Sequence, residues 1–368
     1  MRFIEPVARR HADGLVADIY REIKRDFALL RDPTGNSPFL AHSRHPELLA
    51  AMWSVLYETV LVNGVVARAD KEAVASSISR TNHCPFCVEA HALLAGVAGA
   101  RGDREALISG AIEDIGDERR RKLLAWAAAT RRPNDELIRH PPFTTREAPE
   151  LIGTAVAFHY VNRVVEVLQG HQGMSVGPRP LRRLVTPLVG YAAGRAMKRT
   201  RAPGRTLQRL PRAELPLDLS WARPSATVAS ALACFAAAIE RAGAAVLSEA
   251  ARSHVRTVVA SWVGGDPPLH WDWLAQAVCD LDARSHAGAR LALFAALAPH
   301  RVSDDAVVAY RRTNPSDSDV VGAVAWGAFT AARRIGSWLD PASTPVGEAA
   351  RERASSSPDR ARLNDRRM

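Results

Sequence analysis

The sequence predicts an all-α protein. Ala, Arg and Leu dominate the chain, Val and Ile recur at helical rather than alternating spacing, and the one Asn-Gly pair, Asn63-Gly64, joins two helical patterns instead of two strands. With 368 residues, 47% of them hydrophobic, the chain can bury two ordinary cores, so two domains are expected.

The elements follow in order. His45-Pro46-Glu47 opens a helix whose Leu48, Leu49, Met52, Val55, Leu56 and Val60 keep a period of about 3.6, ending near Asn63-Gly64. Residues 72–81 read as the next helix, which Asn82 and His83 break. Pro85 suits the first turn of the helix after that, where its missing N–H is not needed and its φ is already set. Cys84 therefore falls at or beside the N-cap and Cys87 in the first turn, and the helix continues to about Ala98. A charged start at 117–121 leads into an apolar run at 123–129. Thr144 or Thr145 caps a longer helix carrying Ile152, Val156, Val161, Val164, Val165 and Leu168.

Residues 72–91 concentrate the chemistry, holding Glu72, Cys84, Cys87 and His91 in twenty positions. Disulfide exchange or peroxide reduction needs one thiol that attacks as thiolate, a second that resolves the product, and a group that takes and returns protons. At a helix start, unpaired N–H groups and the dipole favour a thiolate. Cys87 and His91 form an i, i+4 pair, so the imidazole can accept the thiol proton. Glu72 and Ser79 share a face of the preceding helix; if the two helices fold back on each other, Glu72 can orient His91. The same four residues can also make a metal site of two thiolates, one imidazole and one carboxylate. Structural zinc prefers more thiolates, and the remaining cysteines, Cys234 and Cys279, lie far along the chain.

The run from Glu72 through Ser79 and Asn82 to Cys84-Pro85-Phe86-Cys87 and His91 resembles the core signature of the AhpD-like alkylhydroperoxidases, within the carboxymuconolactone decarboxylase superfamily. The match includes the interval of twelve from Glu72 to Cys84 and the Ser and Asn between them. The resemblance implies an AhpD-like helical bundle, Cys87 as peroxidatic thiol, Cys84 as resolving thiol, and Glu72 with His91 as proton relay. Ser79, Asn82 and Phe86 are implied neighbours. Phe86 stands where the best-known peroxidases of the family carry a second histidine, so the relay is shorter here. The decarboxylase branch generally lacks the cysteine pair, which disfavours decarboxylation. The resemblance further implies a hydroperoxide substrate, a dithiol reductant (a lipoyl protein, a thioredoxin-like protein or a small thiol), no metal or organic cofactor, and a homo-oligomer. A non-catalytic redox-sensing or interaction protein, and a metal-binding module, are the alternatives.

The second half reads as a degenerate copy of the first. The run at 291–297 echoes 123–129, and 320–339 echoes 150–168. With Glu249 as the counterpart of Glu72, the positions of the thiols and histidine hold Ser261, Gly264 and Pro268, so the copy keeps no redox chemistry. His159, three residues before Asn162, can reach the redox site from the opposite wall.

The expected organisation is a redox domain at 1–170, a basic linker with an amphipathic helix at 171–220, a degenerate domain at 221–345, and a disordered tail at 346–368. Residues 171–215 hold ten Arg or Lys against the single acid Glu214, out of a net charge of +10. Such a patch attracts polyanions, and 180–200 is amphipathic enough to lie on a membrane surface. A linker helix with its arginines in water is the simpler reading, and nucleic acid is not expected. The first ten residues lack a signal-peptide core, and no uninterrupted apolar run approaches the roughly 20 residues of a membrane span. A cytoplasmic location is expected, and in a reducing compartment an adjacent cysteine pair reads as redox-active rather than structural.

Overall fold

The structure, a computed structural model, describes residues 1–27, 37–171, 173, 199–270 and 272–340. Among these residues the chain forms helices and turns and no strand. The first half comprises α1 (Gly14–Phe27), α2 (Pro38–His42), α3 (Pro46–Leu56), α4 (Arg68–Thr81), α5 (Pro85–Ala98), α6 (Arg104–Ser109), α7 (Glu118–Ala129), α8 (Glu136–Arg139) and α9 (Ala148–Gln169). The second comprises α10 (Ala226–Val246), α11 (Glu249–Ser261), α12 (Asp272–Val278), α13 (Ala283–Leu297), α14 (Asp304–Arg311) and α15 (Asp317–Leu339).

Helix α4 is the hub of the first half, with α5, α7 and α9 packed on it. Its Ala and Ser residues let neighbours approach closely, and its buried charged residues are paired. Asp70 meets Arg120 at 2.8 Å, and Lys71 meets Glu150 at 2.9 Å while donating to the Val62 carbonyl. Glu150 in turn accepts from the backbone N–H of Val65 and Val66, tying the loop before α4 to the start of α9.

The apolar core runs continuously through both halves instead of dividing near residue 170. Helix α3 packs on α10 and α9 packs on α15. Tyr160, Phe235 and Phe329 meet edge-to-face where α9, α10 and α15 converge, with centroids 4.6–6.0 Å apart. Across the junction α3 faces α10 and α9 faces α15, an arrangement compatible with a fused duplication. The fixed register does not hold, however. Three residues connect α4 to α5, whereas 262–271 separate α11 from α12, so Ser261 ends a helix and Gly264 and Pro268 lie in the connection.

The turn between α4 and α5 sets the site. Asn82 ends α4, and His83 takes the left-handed conformation with φ 56°. The His83 N–H donates to the Arg80 carbonyl at 3.0 Å and the Cys84 N–H to the Ser79 carbonyl at 2.9 Å, the paired bonds of a Schellman turn. Cys84 then caps α5 with Pro85 as its first residue. The two helices run antiparallel: the Ser76 hydroxyl donates to the Val88 carbonyl near the middle, and Glu72 meets His91 further along.

One helix start changes. Helix α9 starts at Ala148, not at Thr144 or Thr145, because Pro149 sits in its first turn; Thr144 instead forms a turn whose N–H and hydroxyl donate to Glu147. Helices α9 and α10 are long and apolar enough to cross a membrane by length and composition, yet α9 is wholly enclosed by protein and carries Glu150, Arg163 and Glu166. The amphipathic stretch expected at 180–198 and the tail at 346–368 lie outside the described residues.

Two outcomes follow from the turn and from the buried histidines. His83→Asn should be tolerated, whereas His83→Val, β-branched at positive φ, should lose about 1–3 kcal/mol of stability by urea unfolding; equal midpoints for the two would contradict the strained turn. His42 is fully enclosed between the Pro38 carbonyl and the Tyr160 hydroxyl, and burial lowers its pKa to about 4. Burial, with the Arg163 and Arg131 charges, also pushes His159 well down. Below a pH of about 6.5 the unfolded chain takes up protons that the folded state refuses, so each histidine should lower stability by up to about 1.4 kcal/mol per pH unit as pH falls from 6.5 toward 4. His159→Gln should flatten that fall, and parallel profiles for variant and wild type would contradict it.

Candidate active site

The Cys84 and Cys87 sulfurs lie 2.7 Å apart as free thiols, one at the N-cap of α5 and the other in its first turn. Both are buried, Cys84 completely and Cys87 to within 2%. Burial pushes the Cys84 thiol well up, and contact with Cys87 and the charge of Glu166 push it further. Cys84 is therefore held protonated.

One turn beyond Cys87, the His91 Nδ1 lies 2.7 Å from Glu72 Oε2. Glu72 is fully buried and its other oxygen accepts from Arg68 Nε at 3.1 Å. Burial alone would raise the Glu72 carboxyl; the hydrogen bond from His91 and the charges of Arg68 and His91 outweigh it and hold the carboxyl below its usual range. Phe158 of α9 packs edge-on against the imidazole at 4.4 Å, fixing the ring's plane. Glu72 therefore orients His91 across the helix pair. No hydrogen bond joins His91 to the Cys87 thiol among the described residues, so proton transfer between them needs a small rotation or a bridging water.

Ser79, Asn82 and His159 belong to one buried network behind the turn. The Asn82 amide N–H groups reach His159 Nδ1 and Asn162 Oδ1, both at 3.0 Å. Asn162 Nδ2 donates to the Ser79 hydroxyl, which donates to the Ala75 carbonyl. The Thr130 hydroxyl donates to the Ala127 carbonyl, so its contact with His159 Nε2 at 2.9 Å leaves the imidazole as donor there and as acceptor at Nδ1. His159 thus meets the turn through Asn82 rather than through a sulfur. Phe86 is half-buried against the core on the first turn of α5.

The structure adds a carboxylate that sequence reasoning missed. Glu166 of α9, 2% exposed, is near enough to the Cys84 thiol to act on its ionisation, and its Oε2 meets His171 Nδ1 at 3.1 Å. Burial raises the Glu166 carboxyl above its usual range, against smaller opposing effects of His171 and Cys84. A signal for it exists: His159, Asn162, Arg163 and Glu166 stand three or four apart, a polar stripe on an otherwise apolar helix. Nearby, an open cavity of about 680 Å³ is lined by Thr81, His83, Arg131, Arg132 and Asp266 among others, but neither thiol lines it. The thiols turn toward each other while His91 turns to Glu72, and no group of three or more His, Cys, Asp or Glu among the described residues is placed to hold a metal ion.

Residues 46–129, which span α3 to α7, match the model of the carboxymuconolactone decarboxylase family. Over 340 residues, covering 92% of this chain and 95% of the relative, the sequence is 40% identical to the alkyl hydroperoxide reductase Rv2159c of Mycobacterium tuberculosis, so the likeness extends through the second half as well. The chain belongs to the carboxymuconolactone decarboxylase family, in its AhpD-like branch.

Proposed function

We propose that the protein reduces hydroperoxides with thiol electrons, cycling Cys87 and Cys84 between dithiol and disulfide. The observation that carries this reading is the pair of sulfurs 2.7 Å apart at a helix start, with an imidazole and its carboxylate one turn away. The name of the Mycobacterium tuberculosis relative, an alkyl hydroperoxide reductase, supports the substrate class.

In the cycle, His91, oriented by Glu72, takes the Cys87 proton. The thiolate attacks the terminal hydroperoxide oxygen, the O–O bond breaks, and the alkoxide leaves with the proton from His91 as an alcohol. Cys87 is then a sulfenic acid. Cys84, kept protonated by burial until this point, attacks it; a disulfide forms and water leaves. An external dithiol returns both sulfurs to thiols by exchange and is itself oxidised to a disulfide. No metal or organic cofactor enters these steps. A reducing compartment such as the cytoplasm suits the cycle, because dithiol donors are kept reduced there. The second half, whose α10 and α15 cover α3 and α9, serves as scaffold in this reading.

One observation favours a second reading, a redox sensor without turnover: neither sulfur is exposed, so an oxidant reaches them only when neighbouring side chains move. A sensor would form its disulfide stoichiometrically but slowly. Stopped-flow oxidation of the reduced protein by an organic hydroperoxide separates the two. The peroxidase reading expects a fast saturable phase that Cys87→Ser abolishes and Glu72→Gln slows by about tenfold or more. Slow traces that are identical in wild type and Cys87→Ser would end it.

A further inference from the structure

Two touching thiols that act in sequence need separate proton acceptors. Cys87 must ionise first while Cys84 keeps its proton, and Cys84 must then lose that proton once Cys87 is a sulfenic acid. The Glu72–His91 pair stands one turn along α5, on the Cys87 side. Building on the reading of the pair as redox-active, we propose that Glu166 is the proton acceptor for Cys84, and that His171 and Glu166 carry this proton between solvent and the buried sulfur.

The geometry is a chain of contacts running inward from the surface. The His171 side chain is 61% exposed, that of Glu166 1%, and Cys84 is fully enclosed. His171 Nδ1 lies 3.1 Å from Glu166 Oε2, the buried Glu166 carboxyl is near enough to the Cys84 thiol for each to act on the other's ionisation, and the Cys84 sulfur lies 2.7 Å from that of Cys87. Glu166 Oε1 is buried with no hydrogen-bond partner among the described residues. A carboxyl oxygen in that position destabilises the fold, and an apolar side chain of similar size would pack there without the penalty. The nearness of the carboxyl to a reacting sulfur gives the penalty a use. Burial also raises the Glu166 carboxyl above its usual range, which strengthens it as a proton acceptor.

The Glu166 carboxylate takes the Cys84 proton, and the resulting thiolate attacks the Cys87 sulfenic sulfur. The S–S bond forms as the S–O bond breaks, and the departing hydroxide takes the proton back from Glu166 and leaves as water. One thiol and one sulfenic acid become one disulfide and one water, with Glu166 restored. During reduction by an external dithiol, the path runs in reverse and protonates the Cys84 thiolate as it leaves. His171 exchanges the Glu166 proton with solvent.

The test separates ring closure from the peroxide step. Reduced wild type, Glu166→Gln and His171→Ala are mixed with an organic hydroperoxide and, separately, with oxidised glutathione, and the lifetime of the Cys87 sulfenic acid or glutathione mixed disulfide is followed by quenching and mass spectrometry. Both intermediates are resolved by Cys84, so the glutathione arm reads the path even if no hydroperoxide is reduced; failure of wild type in the hydroperoxide arm alone would count against the proposed function and not against this path. We expect Glu166→Gln to form either intermediate at the wild-type rate and to close it about tenfold or more slowly, with Glu166→Asp recovering part of the loss and His171→Ala showing a smaller slowing. Closure by Glu166→Gln at the wild-type rate would overturn the proposal. Should Glu166→Gln fail to fold, the exposed His171→Ala decides, and unchanged closure in that variant would overturn it.

Discussion

The side-chain amide of Asn82, buried and shared between His159 and Asn162, fixes where α4 stops, and the site follows from that stop. With α4 ended there, His83 turns left-handed, the Cys84 N–H closes back on Ser79, and α5 begins with Cys84 as its cap. The two sulfurs then share the first turn of α5. Because α5 runs back antiparallel to α4, His91 arrives at Glu72. A turn one residue longer would rotate α5 by about 100° and carry His91 off that face.

Burial is the second constraint, and it acts on each group differently. It keeps Cys84 a thiol, keeps His159 neutral and raises Glu166, while Glu72 stays ionised because Arg68 and His91 outweigh the loss of water. Neighbouring groups thus hold opposite protonation states in one small volume, an arrangement suited to ordered proton transfers. Helix α9 supplies much of this environment: Phe158 lies against His91, His159 and Asn162 lie against Asn82, and the Glu166 carboxyl acts on the Cys84 thiol. The second half encloses α9 through α15, so its contribution to the site is made through packing, without a thiol pair of its own.

Much of this was legible in the sequence because it is local. Helical spacing gave α3, α4, α5, α7 and the body of α9, Pro85 gave the start of α5, and the short connection through Asn82 and His83 made a helical hairpin in which Glu72 could meet His91. The start of α9 was misplaced because Thr144 resembles a cap, whereas Pro149 decides the first turn. The register of the second half failed because a ten-residue connection stands where the first half has three, and spacing carried over from one copy cannot register an insertion. Glu166 was missed for a different reason: it stands about eighty residues from Cys84, and only the packing of α9 on α4 brings them together. Its polar stripe was visible, but a stripe does not say which neighbour it faces.

The central claim is that Cys84 and Cys87 act as one two-electron unit. Mass spectrometry of the full-length protein after one equivalent of hydroperoxide, with the remaining thiols alkylated, addresses it directly. The account expects a single intramolecular bond between Cys84 and Cys87, with Cys234 and Cys279 still free to alkylate. Sulfinic acid accumulating at Cys87 beside an unmodified Cys84, or a bond involving Cys234 or Cys279 instead, would contradict it.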